Sequence, residues 1–158
     1  MDTSIEQVMH AEPGVVLRLA GAVEDWPRIL PHYRWVCVLA DDGHGQRIVE
    51  MAARRDVFGR IGWPLRWTAR QIIGSDRVEF VHIAGITRGM EVAWTCSPAA
   101  GGATTVRIRH VFKPAWPVPA LLVRLIVGEY FVNSVARRTL GRIAILAEVR
   151  TTPVPEHS

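Results

Sequence analysis

Apolar positions alternate with polar ones along the middle of the chain, and this pattern predicts a run of antiparallel strands. A first short strand is expected from Thr3 to Ala11. Pro13 then suits the start of a helix whose face carries Val15, Val16, Leu19 and Ala20. Glu24 and Asp25 open a second helical turn with Trp26 and Ile29 inward, and Pro31 ends it. Strands follow at Tyr33 to Ala40, Arg47 to Arg54, Leu65 to Ile73, Arg77 to Ala84, from Met90 to Cys96, and at Val106 to Phe112. The turns between them include Asp41-Asp42-Gly43-His44-Gly45, Gly85 to Gly89 and Ala99-Ala100-Gly101-Gly102. A loop with aromatic content, Gly59 to Pro64, joins two of the strands.

After the sheet the period changes. Pro114, Pro117 and Pro119 break the strand pattern. From Pro117 to Val149 the residues Leu122, Leu125, Glu129, Val132, Val135, Leu140, Ile143 and Leu146 fall near one stripe of a long helix. An antiparallel sheet must cover its apolar face, and one helix is too narrow to cover a wide sheet. A sheet curved round that helix leaves a hollow, so the order of elements predicts an internal cavity.

Four strands supply its inner face. Trp67 and Gln71 lie inward on one, Phe80 and His82 on the next with Val78 and Ala84, Met90 and Trp94 on the third, and His110 and Phe112 on the last. An inward histidine in apolar surroundings needs partners for its ring nitrogens. His82 and His110 are therefore candidate polar anchors, or candidate acid/base groups, in an apolar pocket. Aromatic walls at Trp67, Phe80, Trp94 and Phe112 suit a flat ring system. Asn133, the chain's one asparagine, lies on the long helix with Tyr130 and Arg137 at spacings of three and four, a placement that suits a polar group over the pocket.

Composition narrows the partners. The 158 residues suit one domain, here 1–150, followed by a polar, Pro-containing, flexible tail at 151–158. The net charge is +4, and Lys113 is the single lysine. The arginines are scattered, without a basic block or nucleic-acid motif, so no nucleic-acid partner is expected. Cys37 and Cys96 stand apart with no CxxC or Cys/His cluster; they read as reduced thiols in the cytoplasm, and no metal or cofactor is expected. Met1 to Gln7 lacks a signal-peptide pattern, and Leu121 to Val127 is broken by Arg124, so membrane contact would be peripheral rather than integral. The serines lack a nucleophile-elbow context and no phosphate-loop glycine pattern is present. Either a monomer or a homodimer is compatible with this surface.

Two stretches carry a family resemblance. Val23-Glu24-Asp25-Trp26-Pro27 with Leu30-Pro31-His32-Tyr33, and Gly89-Met90 with Trp94 and Gly101-Gly102-Ala103-Thr104-Thr105-Val106, resemble segments of the START-like, polyketide cyclase/dehydrase superfamily. The order of elements resembles it as well. The resemblance implies an α+β helix-grip fold: a curved antiparallel sheet of about seven strands round a long C-terminal helix, with two short helices after the first strand. It implies a hydrophobic ligand (a lipid, polyketide or quinone-like ring compound) and three possible roles: carrier, polyketide aromatase/cyclase or dehydrase, and quinone-binding chaperone. In the aromatase/cyclases an inward arginine follows the aromatic residues of the strand that holds Trp67; here Gln71 takes that place and Arg70 points outward.

Overall fold

A computed structural model describes residues 1–54, 64–114, 117, 119–123 and 135–151. Strand β1 (Asp2–Met9) leads to helix α1 (Pro13–Gly21), a 3-10 turn at Val23–Asp25 and helix α2 (Trp26–Ile29). Six strands follow: β2 (Tyr33–Asp41), β3 (Gln46–Arg54), β4 (Pro64–Ile73), β5 (Arg77–Gly85), β6 (Met90–Pro98) and β7 (Thr104–Phe112). Helix α3 (Ala120–Val123) and helix α4 (Arg137–Thr151) come last. The seven strands form one antiparallel sheet in the order β1-β7-β6-β5-β4-β3-β2. This is the helix-grip fold. The middle of the expected long helix, the aromatic loop, the tail and Asn133 lie outside the described residues.

The expected alternation holds on β7, where Thr104, Val106, Ile108, His110 and Phe112 are buried while Arg107 and Arg109 face water. Those two arginines pair with Glu6 and Asp2 of β1. On α4 the stripe of Leu140, Ile143, Ala144 and Ala147 is buried in the same core as α1 and the sheet. Ala84 departs from the expected face. Thr68 pairs with Ala84 but Ala69 pairs with His82, so a bulge at Ile83 shifts the phase and leaves Ala84 exposed. Strand β2 is an edge, and its register slips between Tyr33 and Trp35 and again between Val38 and Ala40.

One polar joint locks α1 to the sheet. Gln71, fully buried, donates from Nε2 to the Gly21 carbonyl at 2.8 Å. Arg47 donates from Nε to Gln71 Oε1 at 3.0 Å and from its terminal nitrogens to the Gly21 carbonyl and to Glu24. The joint satisfies the C-terminal carbonyl of a helix that would otherwise be buried bare. Replacing Arg47 with Met removes three of these bonds and strands Gln71 Oε1 inside the protein. Urea denaturation should record a loss of about 1–3 kcal/mol; an unchanged midpoint would mean that the joint is not structural.

Candidate functional site

The inner face of the sheet and the start of the C-terminal helix enclose a cavity. Trp26 and Tyr33 close one side; Met51, Trp67, Phe80, His82, Val92, Trp94, Ile108 and His110 form the sheet wall; and Val135, Ala136 and Thr139 form the helix side. The space open to the centre of a water molecule is about 40 Å³. A single water needs roughly 10–15 Å³ by that measure, so the cavity has room for a few waters and is smaller than the several hundred Å³ typical of small-molecule sites.

The aromatic rings are held in contact with one another. Trp26 meets Tyr33 edge-on with centroids 4.9 Å apart, and Phe80 at 5.8 Å. Tyr33 meets Trp67 at 6.2 Å. Trp26 donates its indole N–H to the Leu19 carbonyl at 3.0 Å, which fixes its ring from outside the cavity. Trp67 lies parallel to the His82 ring, 5.8 Å between centroids and 7° between planes.

The polar groups are few and individually positioned. His82 Nδ1 lies 2.7 Å from Thr87 Oγ1, a bond that ties β5 to the turn leading into β6. Thr87 is fully buried. His110, 2% exposed, has a buried Nδ1 with no hydrogen-bond partner among the described residues. His32 Nε2 lies 2.8 Å from Thr139 Oγ1, joining the approach to β2 to the first turn of α4. Burial holds all three imidazoles neutral at pH 7: it pushes His82 down to about 3 and His110 to about 4. His32 falls to about 4 through burial first, with the Arg138 charge adding to it. No group of three metal-ligating side chains occurs among the described residues.

Of the residues singled out from the sequence, His82, His110, Trp67, Phe80 and Trp94 line the cavity. Three others do not. Gln71 is inward but spends its amide on Gly21 and Arg47. Met90 and Phe112 face each other across β6 and β7 and pack in the core beyond the lining. Arg70 is exposed, so β4 puts no cation into the site. Sequence reasoning missed His32 and Thr139, which lie 107 positions apart, and the lining residues Tyr33 and Met51. The only available signal for His32 was its place in the Leu30-Pro31-His32-Tyr33 segment.

Residues 9–137 match the family described as polyketide cyclase / dehydrase and lipid transport. The chain belongs to this family. A curated relative, the granaticin polyketide synthase bifunctional cyclase/dehydratase of Streptomyces violaceoruber, is 30% identical over 142 residues. The match covers 87% of this chain and 41% of that protein, so the chain spans about two fifths of its length. Among solved structures, the Zhui aromatase/cyclase from Streptomyces superposes with a TM-score of 0.77 at 17% identity, covering 96% of each chain. A START superfamily protein from Mycobacterium smegmatis gives 0.69 at 17% identity, over 92% of this chain and 98% of that one. At such identities these two likenesses speak for the fold alone. Within the described residues of this family member, no helix is long and apolar enough to cross a membrane.

Proposed function

We propose that this polyketide cyclase/dehydrase family member binds an uncharged, ring-containing hydrophobic molecule in its internal cavity, anchored by a hydrogen bond to His110. The observation that carries this reading is the buried Nδ1 of His110, which has no hydrogen-bond partner among the described residues. A buried polar atom without a partner costs about 1–3 kcal/mol, and a ligand oxygen would recover that energy. The surrounding walls are aromatic, which suits a flat ring. The preference for an uncharged ligand follows from the lining: its described residues include no arginine or lysine, and its two histidines are neutral. Because the cavity has room for only a few waters, a two-ring ligand must displace lining side chains as it enters.

Acid–base catalysis of a cyclisation or dehydration is the second reading, supported by the name of the granaticin relative. A neutral imidazole can relay a proton, but one held near 4 is a weak base at pH 7. Arg70 is exposed on the outer face of β4 and so is not placed to meet a developing enolate. Binding is therefore the reading that the geometry favours.

Titration with 1-naphthol, followed by tryptophan fluorescence, tests it. Three lining tryptophans (Trp26, Trp67 and Trp94) should report saturable binding. His110→Leu stays close to the side-chain volume and removes the ring nitrogens, and should weaken binding about five- to tenfold. Absence of saturable binding to the wild-type protein would sink the proposal; equal affinity in the variant would remove the anchor role of His110.

A further inference from the structure

We propose that Thr139, held in orientation by His32, is a second ligand-binding group, so that the cavity selects rings carrying oxygen functions at two positions. The inference rests on the reading of the cavity as a ligand site and adds a selectivity to it. Thr139 lines the cavity and is 2% exposed, yet it is placed where a helix facing an apolar interior would ordinarily carry Ala or Val. Its hydroxyl has one described partner, His32 Nε2 at 2.8 Å.

A hydroxyl has one proton to donate and two lone pairs to accept with. If Thr139 donates to His32, both lone pairs stay available to a ligand hydroxyl. If the neutral His32 carries its proton on Nε2 and donates it, Thr139 keeps its own O–H for a ligand carbonyl and one lone pair besides. Either tautomer leaves Thr139 able to serve a ligand oxygen. The imidazole is itself anchored: His32 is 8% exposed and packs on Tyr33 with ring centroids 4.9 Å apart, and Tyr33 in turn lines the cavity. The hydroxyl therefore has a fixed direction rather than a free rotor, which lowers the entropic cost of meeting a ligand.

Two polar posts follow, on opposite walls. His110 stands on β7 of the sheet, and Thr139 stands on α4. A ring with a single oxygen goes to His110, whose Nδ1 has no other partner among the described residues, and leaves Thr139 without a ligand bond. A ring with two oxygens suitably spaced satisfies both, and gains the second bond.

The test compares naphthalene, 1-naphthol and the 1,5-, 2,6- and 2,7-dihydroxynaphthalenes on the wild-type protein, on Thr139→Val and on Thr139→Ser. At least one dihydroxy isomer should bind the wild type about five- to tenfold more tightly than 1-naphthol. Thr139→Val should erase that advantage. It should change 1-naphthol affinity by no more than about twofold, because the one hydroxyl is already bonded to His110, and should leave naphthalene unchanged. Thr139→Ser should restore the advantage, which a merely structural role for the residue would not require. Thermal unfolding of each variant checks that the fold persists, and if Thr139→Val does not fold, the loss and return of selectivity are read from Thr139→Ala and Thr139→Ser. If no dihydroxy isomer surpasses 1-naphthol, or if the substitution weakens all oxygenated ligands alike, the second post does not exist while the cavity reading stands. If the wild type binds none of the five compounds, both fail.

Discussion

Lowering the pH from 7 to about 5 should strip the protein of a large part of its stability. His32, His82 and His110 titrate near 6.5 in an unfolded chain but at about 4, 3 and 4 in the folded one. Above pH 6.5 both states are neutral at these rings and stability does not depend on them. Below it the unfolded chain takes up protons that the folded chain refuses, so stability falls as pH falls. Each ring contributes a slope approaching about 1.4 kcal/mol per pH unit. By pH 5 the two deeply buried rings, His82 and His110, together remove on the order of 4 kcal/mol, and His32, more open to screening by solvent, adds less; against the roughly 5–15 kcal/mol that holds a domain together this is a large loss. Urea denaturation followed by circular dichroism at pH 7 and pH 5 would measure it. His110→Leu removes one titrating ring and should flatten the pH dependence by about a third or more. A wild-type protein whose urea midpoint does not drop on going from pH 7 to pH 5 would contradict the burial assigned to these histidines.

Gly85→Ala should be the most damaging single methyl addition near the cavity. Gly85 pairs with Trp67 at the end of the β4–β5 ladder, with φ +91°. A Cβ there would stand 2.6 Å from the Arg66 carbonyl oxygen and 3.0 Å from Trp67 Cα. Both obstacles are backbone, so neither can rotate away. The left-handed conformation and the overlap each cost about 1–3 kcal/mol, giving an expected loss of roughly 2–6 kcal/mol. Gly101, with φ +67° and nothing within 4 Å of an added Cβ, is the control: Gly101→Ala should lose only about 1 kcal/mol. Thermal denaturation of the two variants separates overlap from backbone strain. Equal losses would mean that β4 yields to the methyl group. Because the collision is with the Trp67 backbone, Gly85→Ala should also disturb the stack of Trp67 on His82.

The sheet was legible because its signal is local. Alternation on β5, β6 and β7 placed Phe80, Trp94, His82 and His110 inward with no knowledge of what lay opposite. That signal failed wherever a distant contact set the outcome. Ala84 kept the alternating phase in sequence, but the bulge at Ile83 turned it outward. Gln71 looked like a pocket residue because it is inward and polar; the end of α1, 50 positions away, had already claimed its amide. His32 has no periodic signal because it precedes a strand, and Thr139 is a single hydroxyl on the buried stripe of an amphipathic helix, where periodicity marks it as inward without naming a partner. Their pairing exists only once the C-terminal helix is laid against the start of β2. Polar residues inside an apolar protein are thus easy to find from sequence, while their partners require the tertiary fold.

The two register slips in β2 have a consequence for behaviour at high concentration. This outermost strand bears the exposed side chains of Trp35 and Leu39, an invitation to strand-by-strand stacking between molecules. Its even stretch runs only from Trp35 to Val38 before the backbone is thrown out of step at either end. A second molecule could zip up four residues and no further, so the oily rim should resist growth into fibrils.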